Sequence, residues 1–218
     1  MRNLICLLLI VLTFALLPVA VEAAPFQNGS FEIEDTSITI ITLYPPSTYI
    51  TGWEVFNNNI ELVKTNYVPL WAAKDGFYSP DLNAIYTDGG IRQIFDTVAD
   101  QDYRVTFWLS GNPYSGPNYT LRVSAAGETQ DFLLTYPTGE SMANNWNEYT
   151  FDFTADSSST TLSFLNVSNG YSSQSGGPSV DLVSVELLTQ PIPEPATILL
   201  IGSGLVGLAG LRREKFKK

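Results

Sequence analysis

One stretch decides the fold class of this chain, and it reads Tyr103-Arg104-Val105-Thr106-Phe107-Trp108-Leu109-Ser110. Its odd-numbered positions are apolar or aromatic, and most of its even-numbered positions are polar. Successive side chains of a β-strand point to opposite faces, so this alternation predicts a strand with one face toward a core and the other outward.

Strand signals of this kind recur from residue 37 to residue 188. Short segments rich in β-branched and aromatic residues are separated by clusters of Gly, Pro, Asn, Asp and Ser. No amphipathic stretch of helical period extends beyond a turn or two. About ten strands at this spacing predict an all-β fold, an antiparallel two-sheet sandwich. The predicted strands are 37–43, 50–56, 60–64, 91–95, 103–110, 119–125, 131–134, 148–153, 160–165 and 180–188.

The outward faces of two of these strands suggest a ligand-binding site. The segment 119–125 directs Arg122 outward, as the first stretch directs Arg104 and Trp108. If these consecutive strands pair, the three side chains meet on one sheet face. Sugars present apolar C–H faces ringed by hydroxyl groups, so an exposed indole beside two guanidinium groups is a candidate glycan site. The alternative is that these side chains only cover the sheet.

Composition excludes most familiar catalytic chemistry. The chain has no histidine, and its single cysteine, Cys6, lies in the N-terminal apolar run. A domain without either residue cannot use a thiol nucleophile, an imidazole base or a zinc site of the usual type. Residues 24–190 carry 5 Lys and Arg against 19 Asp and Glu, a net charge of −14. Such a surface repels nucleic acid and suits a secreted protein that binds cations or neutral glycans. The alternative is that the acidity only keeps a secreted domain soluble.

The first 23 residues are expected to be a signal peptide. Arg2 precedes an apolar run over residues 4–17, and Val21-Glu22-Ala23 is a small-residue cleavage site. The domain that follows, residues 24–190, is long enough for one hydrophobic core.

The tail, residues 191–218, has three parts. Prolines interrupt strand pairing before an apolar run at residues 196–211, and a basic end follows at residues 212–218. A helix of 16 residues is roughly 24 Å long, a marginal single span of a ~30 Å hydrocarbon core. The basic end is expected to stay in the cytoplasm, which places the domain outside.

This tail resembles the PEP-CTERM sorting signal of Gram-negative bacteria that produce exopolysaccharide. The resemblance rests on Pro193-Glu194-Pro195, the short glycine-rich span and a terminus that begins with Arg212 and Arg213. It implies recognition by an exosortase, transient residence in the inner membrane, and then release to, or attachment at, the cell surface or extracellular matrix. The alternative is an ordinary single-pass anchor with a proline-rich stalk.

The domain itself resembles the choice-of-anchor C family. The motifs that carry the resemblance run in order from Asn28 to Val185; they are Asn28-Gly29-Ser30-Phe31-Glu32, Gly52-Trp53-Glu54-Val55, Trp71 through Asp75-Gly76, Asp81-Leu82-Asn83, residues 90–97, Tyr103 to Phe107, Trp146, and residues 177–185. The resemblance implies a galactose-binding-like jelly roll, a fold shared with many carbohydrate-binding modules. Packing would explain a large aromatic residue at the motif positions Trp53, Trp71 and Trp146. Further candidates for a glycan surface are Trp71, Trp146 and the loop tyrosines Tyr114, Tyr119 and Tyr171.

Related jelly rolls often hold a structural calcium ion between their first and last strands. The resemblance places one carboxylate at Glu32 and another at Asp181, with backbone carbonyls completing the oxygen shell that calcium prefers. The alternative is a solvated Glu32 and a turn-capping Asp181. One departure lies beside the second position, where this chain has Leu182 and related domains more often have Asn.

Three function classes follow. The first is an exported, non-enzymatic surface or matrix protein whose sandwich binds polysaccharide. The second is a structural or adhesive coat protein without a defined ligand. The third is a glycosidase that uses paired carboxylates among Asp75, Asp81 and Asp88.

Overall fold

The computed structural model describes residues 25–84, 88–168 and 176–188. Within these ranges the chain forms eleven β-strands and a one-turn 3-10 helix, Met142–Asn144. No helix in this part of the chain has the length and apolar run that a membrane crossing requires. The predicted signal peptide, residues 1–23, and the sorting tail, residues 191–218 with its helix at 196–211, lie outside the described residues. The strands are β1 (Ile40–Leu43), β2 (Glu54–Phe56), β3 (Ile60–Lys64), β4 (Tyr78–Asp81), β5 (Gly90–Asp96), β6 (Asp102–Gly111), β7 (Asn118–Ala125), β8 (Glu128–Thr135), β9 (Asn147–Thr154), β10 (Ser159–Asn166) and β11 (Pro178–Leu187).

The strands build two sheets whose pairs are antiparallel. The six-stranded sheet has the order β1-β3-β4-β11-β6-β9, and the five-stranded sheet has the order β2-β5-β10-β7-β8. The predicted all-β jelly-roll sandwich is confirmed. Each of the ten predicted strands corresponds to an observed one, with ends that differ by up to four residues.

The core lies between the two sheets and is built largely from aromatic rings. Phe107 of β6 packs edge-on against Phe164 of β10 at 5.3 Å and against Phe132 of β8 at 5.1 Å, measured between ring centres. Since β6 belongs to one sheet and the other two strands to its partner, these contacts join the layers. The tryptophans assigned to packing, Trp53 and Trp71, are 2% exposed.

The strands β6 and β7 do not pair, so the condition for Arg104, Arg122 and Trp108 to meet on one sheet face is not met. β6 lies between β11 and β9, whereas β7 lies between β10 and β8 in the other sheet. Both strands turn their apolar faces toward the shared core, so the polypeptide between them has to cross from one sheet to the other. Their outward faces therefore point away from each other on opposite sides of the sandwich.

The strand β4 is absent from the prediction because its sequence is not typical of a strand. It reads Tyr-Ser-Pro-Asp, yet every residue of it is buried. Pro80 cannot donate to a ladder. The pairing of β4 with β11 is correspondingly brief, since the register joins only Ser179 and Asp81.

Candidate functional site

Trp108 is partly buried beneath a segment that crosses the outer face of the six-stranded sheet. The ammonium nitrogen of Lys74 lies 3.5 Å from the centre of the indole ring. In the strand register, Trp108 stands between Asp181 of β11 and Glu148 of β9. We call residues 72–77, which include Lys74, the covering segment. One face of the indole is thus in contact with a cation of the protein itself.

The covering segment is fastened by the two carboxylates that the family resemblance assigns to calcium. Asp181 Oδ2 accepts hydrogen bonds from the amides of Lys74 at 2.7 Å and Asp75 at 3.0 Å. Glu32 Oε1 accepts from the amides of Phe77 at 2.8 Å and Tyr78 at 2.9 Å. The two side chains therefore hold the same segment from two directions.

Further contacts complete the attachment of the covering segment. The indole N–H of Trp146 donates to the carbonyl of Ala72 at 3.0 Å, and Ser30 Oγ donates to Asp75 Oδ2 at 2.7 Å. Trp146 is 8% exposed, in keeping with a packing role. The indole N–H thus joins the residue that precedes β9 to the covering segment, while the ring of Trp146 is buried.

Glu32 and Asp181 are the two carboxylates predicted to share a calcium ion. Calcium requires several oxygen ligands at about 2.3 to 2.6 Å. One oxygen of each carboxylate is occupied by backbone amides, and Asp181 Oδ1 also accepts from the amide of Leu182 at 2.7 Å. Within the described ranges, no group of three or more His, Cys, Asp or Glu residues is placed to hold a metal ion. A shared ion would have to displace amides from both oxygens of Asp181 and from one oxygen of Glu32.

Burial raises the pKa of Asp181 to about 7, and the nearby Asp75 carboxylate acts in the same direction. The three amides that donate to Asp181 lower the pKa, but by less. The side chain is fully buried although it lies on the outward side of the sheet, because the covering segment shields it. The sequence pattern gave no sign of this segment, which has no regular structure.

Arg104 and Arg122 each form an ion pair with a residue directly across the sheet. Arg104 donates two hydrogen bonds of 2.7 Å to Asp152, and Arg122 donates bonds of 2.7 and 2.8 Å to Asp131. Each guanidinium group lowers the pKa of its partner carboxyl. The three side chains of the predicted glycan site are therefore not together, since Arg122 lies on the opposite sheet from Arg104 and Trp108.

A third carboxylate, Asp81, organises the loops at one end of the sandwich. It lies at the end of β4 and is 1% exposed. Its oxygens accept hydrogen bonds from the side-chain amide of Asn112 at 2.7 Å, the backbone of Gly177 at 2.7 Å and the backbone of Asn83 at 3.0 Å. Burial nevertheless raises the pKa of Asp81 to about 7. The side chain holds the loops after β4 and β6 against the start of β11.

The exposed aromatic side chains include one residue that the sequence singled out, Tyr114. Of the other two candidate tyrosines, Tyr119 is buried in β7 and Tyr171 lies outside the described residues. In the described part of the chain, every large aromatic residue that is strongly exposed lies on a loop, whereas four of the five large aliphatic ones lie on strands or beside a bulge. The exposed aromatic residues are Tyr44, Tyr49, Tyr67, Phe77 and Tyr114. Their positions are fixed by backbone contacts; for example, the amide of Leu70 donates to Tyr114 Oη at 3.1 Å.

One of these residues, Tyr49, lines a surface cleft of about 270 Å³. The other lining residues are Ile33, Glu34, Asp35 and Thr51. Tyr49 is 42% exposed. The cleft thus combines an aromatic surface, an aliphatic side chain, two carboxylates and a hydroxyl group.

The comparison with protein families covers most of the chain. The family model described as "Protein of unknown function (DUF642)" matches residues 24–186. The chain belongs to the DUF642 family. A second model, the PEP-CTERM protein-sorting motif, matches residues 191–213. The DUF642 domain is therefore followed by a sorting signal that implies export to the surface or extracellular space and processing by an exosortase.

The sorting-motif match includes every residue predicted for that role. They are Pro193, Glu194, Pro195, Arg212 and Arg213, and they lie outside the described residues.

A relative of the DUF642 domain is Halomucin of Haloquadratum walsbyi, 30% identical over 176 residues. The match covers 78% of this chain, which spans about 2% of the length of that relative.

Among solved structures, a family 61 carbohydrate-binding module in complex with β-1,4-galactotriose is similar at 16% identity and a TM-score of 0.46, over 67% of this chain and 97% of the module. A family 35 module from Clostridium thermocellum is similar at 16% identity and a TM-score of 0.44, over 68% of this chain and 98% of the module. An arabinose-bound α-L-arabinofuranosidase is similar at 12% identity and a TM-score of 0.49, over 77% of this chain and 27% of that enzyme.

Proposed function

We propose that this protein is an exported, exosortase-processed surface or matrix protein whose DUF642 sandwich binds extracellular polysaccharide without catalysis. The sorting motif at residues 191–213 supports the export and the processing. The proposal includes a Gram-negative host, transient residence in the inner membrane through a helix at 196–211, and membership of the choice-of-anchor C group. The order of the motifs from Asn28 to Val185 supports that membership.

The observation that carries the binding proposal is the placement of the exposed aromatic side chains on fixed loops. Residues such as Tyr67 and Tyr114 are 46% and 53% exposed, while the core between the sheets is filled without them. Exposed aromatic rings stabilise the fold little, but they offer flat apolar surfaces on which a sugar ring can stack. The net charge of −14 over residues 24–190 favours a neutral polymer over a polyanion.

A non-catalytic role is supported by the positions of the carboxylates proposed for glycoside hydrolysis. Asp81 is buried, and both of its oxygens accept hydrogen bonds from the protein. Asp75 accepts a bond from Ser30. The paired carboxylates of a glycosidase must instead face the substrate. They lie about 5 Å apart in retaining enzymes and about 6.5 to 9.5 Å apart in inverting enzymes.

Affinity electrophoresis tests the proposal. The full-length chain, purified in a detergent without a sugar headgroup, is run through gels that contain galactan, glucan, mannan or polygalacturonate. We expect retardation on a neutral polysaccharide and its loss when Tyr44, Tyr49, Tyr67, Phe77 and Tyr114 are replaced together by alanine. The control is Leu133→Ala, which removes a side chain that is 75% exposed but lies on strand β8.

Each of the other function classes has a distinct outcome. The absence of retardation on any polysaccharide would support a structural coat protein. Release of reducing sugar, lost in Asp75→Asn, Asp81→Asn or Asp88→Asn, would support a glycosidase. Retardation that the aromatic variant retains in full would contradict the proposed binding surface.

A further inference from the structure

We propose that the cleft of Tyr49 is a subsite for one neutral hexopyranose ring of the polysaccharide, with the ring stacked on the tyrosine and its hydroxyl groups donating to Glu34 and Asp35. This inference rests on the proposed function and names the place and the class of its ligand.

The wall that carries the carboxylates is anchored from below by buried and basic side chains. Tyr78 is fully buried, and its hydroxyl donates to the carbonyls of Asp35 at 3.3 Å and Ile38 at 2.7 Å. Lys64 Nζ donates to the carbonyl of Thr36 at 2.5 Å. The backbone that presents Glu34 and Asp35 is therefore positioned before any ligand arrives.

The wall that carries Tyr49 is equally well supported. The amide of Tyr49 donates to Ser47 Oγ at 3.3 Å, and the carbonyl of Ser47 accepts from the amide of Val55 at 2.8 Å. Ile50 is 1% exposed, so its side chain anchors the loop by packing into the core. On the far side, the carbonyl of Thr51 accepts from the side chain of Asn28 at 3.0 Å. A site with two preformed walls loses little conformational entropy on binding.

The size of the cleft fits one sugar ring. Its volume is about 270 Å³. Pockets for drug-sized ligands span about 300 to 1,000 Å³. The cleft therefore suits a single ring that projects from a polymer, or one unit at its end, rather than an extended oligosaccharide.

The side chains of the cleft match the two kinds of surface that a pyranose presents. The ring of Tyr49 and the side chain of Ile33 offer apolar contact to C–H groups. Ionised carboxylates accept hydrogen bonds only, and each can accept from two adjacent hydroxyl groups. Thr51 adds a group that can both donate and accept.

The two carboxylates of the cleft disfavour acidic sugars. Asp35 Oδ1 accepts from the amide of Ser37 at 3.0 Å and from its hydroxyl at 2.6 Å, and these bonds hold the pKa of Asp35 below its usual value. The carboxylate therefore stays ionised at neutral pH. None of the five lining residues is a cation. A uronate would bring a third negative charge without a partner, so the site discriminates against acidic sugars.

The test uses the full-length chain and short oligosaccharides as probes, with affinities measured by isothermal titration calorimetry. The probes are neutral galacto- and gluco-oligosaccharides, oligogalacturonates and glucosamine oligomers. We expect a neutral oligosaccharide to bind at least tenfold more tightly than the matching uronate. Tyr49→Ala should weaken neutral binding at least tenfold, whereas Tyr49→Phe, which keeps the ring, should stay within about threefold of the wild type.

A matched pair of charge variants separates the carboxylates of the cleft from general acidity. Glu34→Gln with Asp35→Asn should weaken binding of the neutral probe, while Asp96→Asn with Glu148→Gln removes the same two charges elsewhere and should leave it unchanged. Radical footprinting gives a second readout, since bound sugar should protect Tyr49 from oxidation and leave Leu133, which is 75% exposed on strand β8, as reactive as before. Thermal unfolding of every variant checks that it is folded.

The outcomes distinguish this inference from the function on which it rests. If neutral oligosaccharides bind but Tyr49→Ala binds as tightly as the wild type, the cleft is not the site and the polysaccharide proposal stands. If uronates or glucosamine oligomers bind as tightly as the neutral probes, the ligand class is wrong. If no probe binds and no polysaccharide retards the chain, both proposals fail.

Discussion

Asp181 and Glu32 lie far apart in the sequence, yet they hold the two ends of one short segment. Asp181 accepts the amides of Lys74 and Asp75, and Glu32 accepts those of Phe77 and Tyr78. Charged acceptors form stronger hydrogen bonds to backbone amides than neutral ones do. The last strand and the start of the domain are thereby joined through the covering segment.

Removal of Asp181 should loosen the covering segment more than removal of Glu32. Asp181→Ala leaves three amides without their acceptor, and we expect a loss of about 2 to 3 kcal/mol in the free energy of unfolding. Glu32→Ala leaves two amides at a more exposed site and should cost about 1 kcal/mol. Urea unfolding measures both, and hydrogen exchange at residues 72–77 reports the loosening directly. Faster exchange spread evenly over the domain would contradict the assignment.

The double variant should lose less stability than the sum of the single losses. Once one end of the covering segment is free, the other attachment restrains less. The control is Glu148→Ala, which removes an exposed carboxylate beside Trp108 in the register.

If Glu32 and Asp181 shared a calcium ion, added calcium would raise the unfolding temperature, and Asp181→Ala would abolish that rise. With the carboxylates on amides, as they are arranged, we expect no such rise.

The sequence predicted the strands well and the contacts between distant residues poorly. Alternation in residues 103–110 depends only on which side of a strand faces the core, so β6 was predictable. The partner of β6 was not, because β7 has an equally clear pattern and pairing across sheets depends on where the chain crosses the core. The prediction that Arg104 and Arg122 meet failed at that step.

The covering segment and the Tyr49 cleft escaped prediction for a related reason. Both are made of irregular backbone, whose path depends on contacts such as the one between Asp181 and Lys74, which are 107 positions apart. Local patterns carry no information about such contacts. Glu32 and Asp181 were singled out through a family resemblance, and the structure assigns them to backbone amides.

A single substitution at Leu182 should stabilise the protein. Leu182 has a φ angle of +48° at an irregularity in the pairing of β11 with β6. An L-residue with a branched apolar side chain is strained in this region by roughly 1 kcal/mol, whereas Asn tolerates it. We expect Leu182→Asn to raise the free energy of unfolding by about 0.5 to 1 kcal/mol. The side chain is 38% exposed, so little burial is lost.

Two comparisons make the Leu182 prediction specific. Leu182→Gly should stabilise by a similar or smaller amount, since glycine also accepts a positive φ but gains more entropy on unfolding. Leu187→Asn changes a side chain that is 45% exposed at the end of the same strand, and it should not stabilise. Equal effects of the two Asn substitutions would contradict backbone strain as the cause.

Stability should fall as the pH rises from about 4 to about 7. Burial raises the pKa of Asp81 from 3.8 to about 7, so the folded protein binds a proton in this range that the unfolded chain has released. The stabilising contribution of that proton is complete below the unfolded pKa and is lost as the pH rises through the folded one. Each unit of such a shift corresponds to about 1.4 kcal/mol, which is an upper limit for the slope per pH unit from Asp81.

The Asp81 contribution can be separated from that of other acidic groups by substitution. Asp181 acts in the same direction, since burial raises its pKa as well. Asp81→Asn should flatten the pH dependence of the unfolding free energy, while Asp96→Asn makes the same change of charge at an exposed site and should leave the slope unchanged. An unaltered slope in Asp81→Asn would show that its carboxyl group does not retain the proton.

Replacement of Gly29, in the loop that precedes β1, should destabilise the fold strongly. A Cβ atom at this position would collide with the backbone carbonyl of Val183, and the amide of Val183 donates to the carbonyl of Gly29 at 2.9 Å. Because the obstacle is backbone, no rotamer change can relieve it. We expect Gly29→Ala to lower the free energy of unfolding by about 2 kcal/mol or more. Gly127→Ala is the control, since a Cβ there meets nothing within 4 Å and only the positive φ of 80° opposes it. A smaller loss in Gly29→Ala than in Gly127→Ala would show that the first loop can move away from β11.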